Sequence, residues 1–150
     1  MGKYTARQIA EWFLAWADEA EDAGVSNLKL QKLLYYAQGH HLGDTGAPLF
    51  RDEFQAWSHG PVIPSLYRDF KSYGSASIDA DEEIREEFDW DSYRDVEAHL
   101  MKIWNTYGQF DAWRLRNMTH RESPWLDTFD DAQRNVLIPK DSMRAFFAQV

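Results

Sequence analysis

Apolar side chains recur at three- and four-residue intervals along most of the chain, which is the spacing of one face of an α-helix. The first such stripe predicts a helix over about residues 5–22, with Thr5 as its N-cap. The second stripe predicts a helix over about residues 28–42, capped by Ser26 or Asn27. Three residues of this second helix are expected to point away from its apolar face: Lys29, Lys32 and Tyr36.

The segment from Phe50 to His59 has a different pattern, because its side chains alternate as they do on a short strand. The dipeptide Gly60-Pro61 is expected to end this strand. Pairing of residues 136–138 with the strand near Trp57 would make a minimal two-stranded β ribbon.

Glycine, proline and capping residues divide the remaining sequence into further helices. These are a helix from Pro64 to Gly74, an acidic pair capped by Asp79 and Asp91, a helix capped by Asp111, a turn around Pro124-Trp125 and a last helix after Pro139. No linker, repeat or low-complexity tract interrupts them. The sequence therefore predicts a mainly α, compact, single-domain fold of about six to seven helices over residues 1–150, with the small ribbon as an addition.

Composition excludes several kinds of chemistry. The chain has 150 residues, of which 44% are hydrophobic and 15% aromatic, enough to fill a core. It contains no cysteine, so disulfides, thiolate metal sites and cysteine nucleophiles are excluded. No apolar run has the length of a membrane span, and acidic residues interrupt the N-terminal segment, so we expect a cytoplasmic protein without a membrane partner.

The negative charge is concentrated in one stretch. The net charge is −9, and residues 79–97 contribute −8 of it, from ten acidic residues against two arginines. A phosphate backbone would be repelled by this field, so nucleic acid is an unlikely main ligand. The stretch predicts either an ordinary solvated face or electrostatic steering towards a basic partner.

The residues leave two alternative functions to consider, a metal-dependent hydrolase and a DNA-binding protein. A metal-dependent hydrolase would need a site assembled through space, because none of the histidines has the spacing of a recognised zinc motif. Its ligands would be His41, His59, His120 and Glu122. A DNA-binding helix-turn-helix would need a basic recognition helix, and the chain offers only small pairs of basic residues. We expect neither an enzyme nor a cofactor.

Four motifs, in order, resemble the Panacea domain of the SocA-like and GepA-like phage-associated antitoxins. They are LKLQKLLYYA at 28–37, PLF with FQAW at 48–57, HGPVIP at 59–64 leading to Tyr67, and residues 115–125 with THRE at 119–122 and Pro124-Trp125. The resemblance implies a mainly helical antitoxin that neutralises a cognate protein toxin by direct contact. An alternative outcome of binding is delivery of the toxin to a cytosolic protease.

The motif residues themselves have two interpretations. As partner contacts, the candidates are Lys32, Tyr36, Trp57, His59, Tyr67 and His120. Gly60 permits a turn, and Pro61 and Pro64 stiffen the approach to the next helix, which would help a binding surface. Alternatively, the motifs lock the two halves of the domain together.

Overall fold

Eight α-helices and a two-stranded hairpin form the part of the chain that the computed structural model describes, residues 3–20, 24–133 and 135–150. The helices are α1 (Ala6–Glu19), α2 (Asn27–Thr45), α3 (Pro64–Phe70), α4 (Ala80–Glu83), α5 (Glu97–Tyr107), α6 (Ala112–Thr119), α7 (Ser123–Leu126) and α8 (Lys140–Phe147), and the strands are β1 (Gln55–Trp57) and β2 (Gly60–Val62). The predicted mainly helical, compact fold is confirmed. No described helix is long and apolar enough to cross a membrane.

The predicted caps of three helices are in place. Thr5 and Gln8 form a capping box at the start of α1, and the Ser26 side chain accepts from the backbone of Lys29 in α2. Asp111 accepts from the Arg114 amide at the start of α6. Helix α1 ends at Glu19, and the predicted end at residue 22 lies outside the described residues.

Helix α2 lies at the centre of the molecule and packs against α1, α3, α5, α6, α8 and β2. It is therefore buried on almost every side, including Lys29, Lys32 and Tyr36, which corrects the expectation that these three point away from the core. The helix also continues past its predicted end. It runs through Gly43 and ends at Gly46, whose φ of +79° suits the left-handed C-cap.

The small sheet differs in part from the predicted ribbon. Strand β1 pairs with β2 in an antiparallel hairpin, so Gly60-Pro61 begins a strand where the sequence predicted only an end. Residues 136–138 also reach β1, as predicted. The Ala56 amide donates to the Val136 carbonyl at 2.9 Å, and the Ile138 amide donates to the Phe54 carbonyl at 2.8 Å.

The acidic stretch folds as short elements on the surface. Asp79 caps α4 as predicted, but Asp89, and not Asp91, caps the 3-10 turn at Trp90–Tyr93. Helix α5 then begins without a side-chain cap. Most of the acidic residues are exposed, while Glu83 and Arg85 turn back towards α1, where Arg7 and Arg85 both pair with the buried carboxylate of Glu11.

Candidate functional site

Helix α2, which carries the motif at 28–37 and which we call the signature helix, meets the hairpin and α6 at a buried lysine. Lys32 has no exposed surface, and its Nζ donates to the Pro61 carbonyl at 2.8 Å. Gly60 has a φ of +103°, and a Cβ there would lie 2.7 Å from Cε of Lys32 and 2.8 Å from Oγ1 of Thr119. The absence of a side chain at Gly60 therefore lets three elements approach closely. We call Lys32, Gly60, Pro61 and Thr119 the lysine pocket.

Burial changes the charge of this lysine. Burial first, and the neighbouring positive charge of Arg116 second, lower the pKa of Lys32 to about 7. Within the described residues, Lys32 forms no ion pair. Its ammonium group faces the hairpin backbone and not solvent, and contact of Lys32 with a partner stays a prediction.

A second buried cluster joins the signature helix to the turn before α7. Tyr35 donates to Oε1 of Glu122 at 3.0 Å, and Tyr36 donates to Oε2 at 2.8 Å. Burial raises the pKa of Glu122 to about 7, and the two tyrosine hydrogen bonds oppose this rise. We call these three residues the glutamate–tyrosine cluster.

Tyr36 is only 1% exposed, and its ring stacks on Tyr107 with 3.9 Å between centroids. Burial also raises its pKa, so its hydroxyl stays protonated and remains a hydrogen-bond donor. Contact of Tyr36 with a partner likewise stays a prediction. Its side chain holds Glu122 and fills the core.

Two glutamine side chains of the signature helix form hydrogen bonds with backbone groups next to the hairpin. Oε1 of Gln31 accepts from the Ile63 amide at 2.8 Å. Gln38 donates to the Phe50 carbonyl at 2.8 Å and accepts from the Leu49 amide at 2.7 Å. Both side chains are fully buried, so they fix the segments on either side of the hairpin. Neither glutamine was predicted to have a role, although polar residues within an apolar helix were a usable signal in the sequence.

The other four predicted contacts lie at or near the surface. His59 is exposed at the turn of the hairpin, and Trp57, Tyr67 and His120 are half-buried. The rings of Trp57 and Tyr67 meet edge to face, with centroids 5.0 Å apart. Their contact with a partner stays a prediction, and their exposure is compatible with it.

A stack of three rings supports this surface. His120 stacks on Trp125 with centroids 4.0 Å apart, and Trp125 stacks on Phe129 at 4.7 Å. The indole N–H of Trp125 donates to the Trp57 carbonyl at 2.7 Å, which ties the stack to the hairpin. Burial and the nearby charge of Arg116 lower the pKa of His120, which favours the neutral ring in this stack. Phe129 was not identified from the sequence.

A groove of about 400 Å³ opens beside the stack, between the hairpin and the described residues 129–133 and 135. Its described lining consists of Ala56, Trp57, Ser58, Phe129, Asp130, Asp131, Gln133 and Asn135. We call it the hairpin groove. It combines aromatic walls with carboxylates, a composition suited to recognition of another molecule.

The comparison with known families agrees with this arrangement of motifs. The sequence model described as "Antitoxin SocA-like, Panacea domain" matches residues 30–126. The chain belongs to the SocA-like Panacea domain family. Within this Panacea chain, the lysine pocket and the glutamate–tyrosine cluster both lie inside the matched segment, whereas the loop that forms one wall of the hairpin groove lies beyond its end.

A curated relative carries the same family name. Antitoxin SocA from Caulobacter vibrioides (strain NA1000 / CB15N) is 48% identical over 73 residues, which cover 49% of this Panacea chain and 38% of the relative. The match thus spans less than half of that protein's length. No solved structure matches the chain.

The metal alternative does not assemble in this Panacea fold. No group of three or more metal-ligating side chains is found among the described residues. His41 contacts the Ala47 carbonyl at 2.7 Å near the end of α2, and the Glu122 carboxylate is engaged by two tyrosines. His120 stacks on Trp125, so three of the four predicted ligands, His41, His120 and Glu122, contact separate partners. This corrects the proposed set of His41, His59, His120 and Glu122.

Proposed function

We propose that this chain is an antitoxin that neutralises a cognate protein toxin by direct binding, acting in the cytoplasm as a single Panacea-like domain over residues 1–150. The observation that carries the proposal is the match of residues 30–126 to an antitoxin family. The name of the relative from Caulobacter vibrioides supports the same role.

The packing of the motif residues supports binding as the mode of action. The lysine pocket and the glutamate–tyrosine cluster hold the hairpin and the turn before α7 on the signature helix. Trp57 is thereby presented on a fixed backbone, and Trp125 ties that backbone to the ring stack. A surface that is ordered before binding loses less conformational entropy on association.

The proposed contacts follow from exposure. We assign direct contact to Trp57, His59, Tyr67 and His120, which lie at least partly at the surface. Lys32 and Tyr36 are positioning residues behind this surface. Half-exposed Trp and Tyr side chains are frequent anchors at protein interfaces.

A growth assay tests this function. The gene adjacent to the one encoding this chain would be induced alone and then with the chain, and a tagged chain would be purified from the same cells. We expect toxicity to disappear and the two proteins to co-purify. A Trp57→Ala variant should lose rescue, whereas Trp113→Ala should keep it, because Trp113 is 59% exposed but does not line the hairpin groove.

Two other results would contradict direct neutralisation. Rescue without a complex would exclude inhibition by binding. Rescue accompanied by a shortened half-life of the toxin would instead indicate delivery to a cytosolic protease, which a pulse-chase experiment measures.

A further inference from the structure

We propose that Arg116 and His120 bind one carboxylate of the protein partner, with the buried ammonium group of Lys32 behind them. This proposal rests on the proposed antitoxin function, because it names the chemistry that one part of the contact surface recognises. The residues concerned are the basic groups that meet where the hairpin touches α6. We call them the cation cluster: Lys32, His59, Arg116 and His120.

The cation cluster extends from the surface to the core. His59 is exposed at the turn of the hairpin, whereas Lys32 has no exposed surface. Between them lies Gly60, at which a Cβ would be 3.2 Å from Nζ of Lys32. Burial lowers the pKa of His120, and so do the charges of three neighbours, Arg116, Lys32 and His59. The four basic groups are therefore within electrostatic range of one another.

Arg116 and His120 share one face of the chain at the end of α6. They are four residues apart, and the His120 amide donates to the Arg116 carbonyl at 3.2 Å, as in a helical turn. Side chains at this spacing are neighbours on the helix surface. Both residues are half-buried, so they lie at the boundary between the core and the contact surface.

Each of these two side chains has a buried nitrogen without a hydrogen-bond partner. The two atoms are Nε of Arg116 and Nε2 of His120. Nη1 of Arg116 donates to Oδ1 of Asn117 at 3.1 Å, so the opposite edge of the guanidinium group is the one that lacks an acceptor. Buried polar groups are nearly always hydrogen-bonded, so these two atoms indicate an acceptor supplied from outside the chain. A carboxylate has two oxygens, one for each of them.

No carboxylate balances the cation cluster within the described part of the chain. None of Lys32, Arg116 and His120 forms an ion pair there. The guanidinium group of Arg116 lies 4.4 Å from the ring centroid of Trp113, a contact without a counter-charge. The carboxylate of Glu122 is engaged by two tyrosines. In a chain with a net charge of −9, the cluster is a local excess of positive charge.

The charge of the rest of the molecule favours a carboxylate on a protein over a free anion. A net charge of −9 repels phosphate and nucleic acid, which carry several charges of the same sign. An acidic side chain on a folded partner is instead brought to the site by the other contacts of the interface. His59 and His120 already belong to the proposed contact surface, which thus extends to Arg116. The edge of a guanidinium group also matches the two oxygens of a carboxylate.

Lys32 acts on this site through its charge. Its Nζ donates to the Pro61 carbonyl at 2.8 Å, so the ammonium group is held behind the surface. Buried charges are screened less than exposed ones, so its field reaches a carboxylate at Arg116. Burial and the charge of Arg116 lower the pKa of Lys32 to about 7, and a bound carboxylate would oppose this decrease. Binding therefore favours the protonated form of Lys32.

A titration with sodium propionate tests the site. This probe presents the carboxylate of a glutamate side chain, and propionamide, which has the same shape and no charge, is the matched control. The Nε–H signal of Arg116 and the ring signals of His120 would be followed by NMR at constant ionic strength. We expect saturable shifts with propionate only. Equal shifts with propionamide, no saturable shift with propionate, or tighter binding of inorganic phosphate would overturn the proposal.

Two variants of α6 separate the cation cluster from general positive charge. Arg116→Gln should weaken binding of propionate by about tenfold, the loss of one charged hydrogen bond. Arg114→Gln removes the same charge from an exposed position, where the guanidinium group lies 4.5 Å from the ring centroid of Phe110, and should leave binding unchanged. Equal weakening in both variants would contradict a site at Arg116.

A second site variant makes the test independent of how well the first one folds. His120→Phe keeps a ring that can stack on Trp125 and loses the nitrogen donor. It should also weaken binding of propionate, and the Arg116 signal then reports the binding. Unchanged affinity in both His120→Phe and Arg116→Gln, with folding verified by circular dichroism, would exclude the site.

The growth assay keeps the two claims apart. We expect Arg116→Glu to lose rescue and Arg114→Glu to keep it, while Trp113→Ala leaves the charge of the cation cluster unchanged. If the unaltered chain rescues growth and Arg116→Glu rescues equally well, the carboxylate contact fails and the antitoxin function stands. If the unaltered chain does not rescue growth, the antitoxin function fails, and the propionate titration still decides whether the cation cluster binds a carboxylate.

Discussion

At the scale of single residues, Gly60 has the strictest requirement in the site. Its positive φ disfavours any L side chain, and the space where a Cβ would lie is already occupied by Lys32 and Thr119. The motif HGP could be recognised in the sequence as a turn. The sequence did not show that this turn lies against a buried lysine, because that contact joins residues far apart in the chain.

We predict that Gly60→Ala destabilises the protein by about 3 kcal/mol or more, because it combines backbone strain with a steric clash. Gly46→Ala is the matched control, since Gly46 also has a positive φ but no atom within 4 Å of the added Cβ. It should cost only about 1 kcal/mol. Urea unfolding of both variants measures the difference, and equal losses would show that the lysine pocket does not restrict this position.

The buried lysine and glutamate predict an unusual pH dependence of stability. The folded-state pKa of Glu122 is raised from 4.5 to about 7, so the folded state binds the extra proton between these values and stability falls as pH rises through them. The pKa of Lys32 is lowered from 10.5 to about 7, so the unfolded state binds the extra proton and stability rises between pH 7 and 10.5.

Each group contributes a slope of up to about 1.4 kcal/mol per pH unit. We therefore expect Glu122→Gln to remove the fall below pH 7 and Lys32→Met to remove the rise above it, in unfolding free energies measured against pH. Lys71→Met removes an exposed lysine and serves as the control. If the curves of the two site variants run parallel to that of the unaltered protein, the assigned titrations are wrong.

At the scale of elements, α2 shows both the reach and the limit of prediction from sequence. Its existence and its start at Ser26 followed from apolar periodicity and a capping residue. Its polar residues suggested a solvent-facing side, yet the helix is surrounded by other elements. Buried Gln31 and Lys32 are compatible with this position because each finds a backbone partner in the hairpin region.

The hairpin was only partly predictable for a related reason. Proline is normally excluded from strand interiors, so Gly60-Pro61 indicated the end of a strand. In the fold, Pro61 lies in β2, a strand of three residues that pairs only with β1. No further strand needs the N–H group that proline lacks, so β2 can form. The loop that lines the hairpin groove has no periodic pattern of apolar residues. It forms a wall of the groove because its ends are bonded to Trp125 and to β1.

The close packing of α2 against α8 gives a prediction at this scale. A Cβ at Gly43 would lie 2.6 Å from the carbonyl carbon of Phe147 and 2.7 Å from its oxygen, so α8 would have to move. We expect Gly43→Ala to destabilise the fold by about 1–3 kcal/mol despite the higher helix propensity of alanine.

Asp44→Ala, at an exposed position in the same turn, is the control and should be neutral or slightly stabilising. Thermal unfolding monitored by circular dichroism compares the two variants. An increase in stability for Gly43→Ala would contradict the close contact between the two helices.

At the scale of the whole molecule, the acidic charge is expected to affect the rate of association, separately from the shape of the contact surface. The exposed acidic stretch of residues 79–97 lies on short elements at the surface, and only part of it is paired with α1. Such a field acts over a distance and changes association rates more than the contacts in the complex. The acidic stretch could be predicted from the sequence alone, whereas the hairpin groove could be identified only in the structure.

We predict that replacing Asp81, Glu82, Glu86 and Glu87 by their amides slows association with a basic toxin by about tenfold at low salt. The dissociation rate should change little, because these side chains lie outside the proposed contact surface. Stopped-flow binding would measure both rates. The difference should vanish near 1 M salt, where the Debye length is about 3 Å; an unchanged association rate at low salt would exclude steering by this stretch.

Neutralisation of a toxin by contact with this Panacea chain, as proposed, can be tested by reconstitution from purified components. The toxin identified by the growth assay would be mixed with increasing amounts of the chain in the absence of any protease, and the activity of the toxin would be measured. We expect inhibition that is complete at a fixed stoichiometry, with a complex in size-exclusion chromatography. Full toxin activity in the presence of excess chain would contradict it.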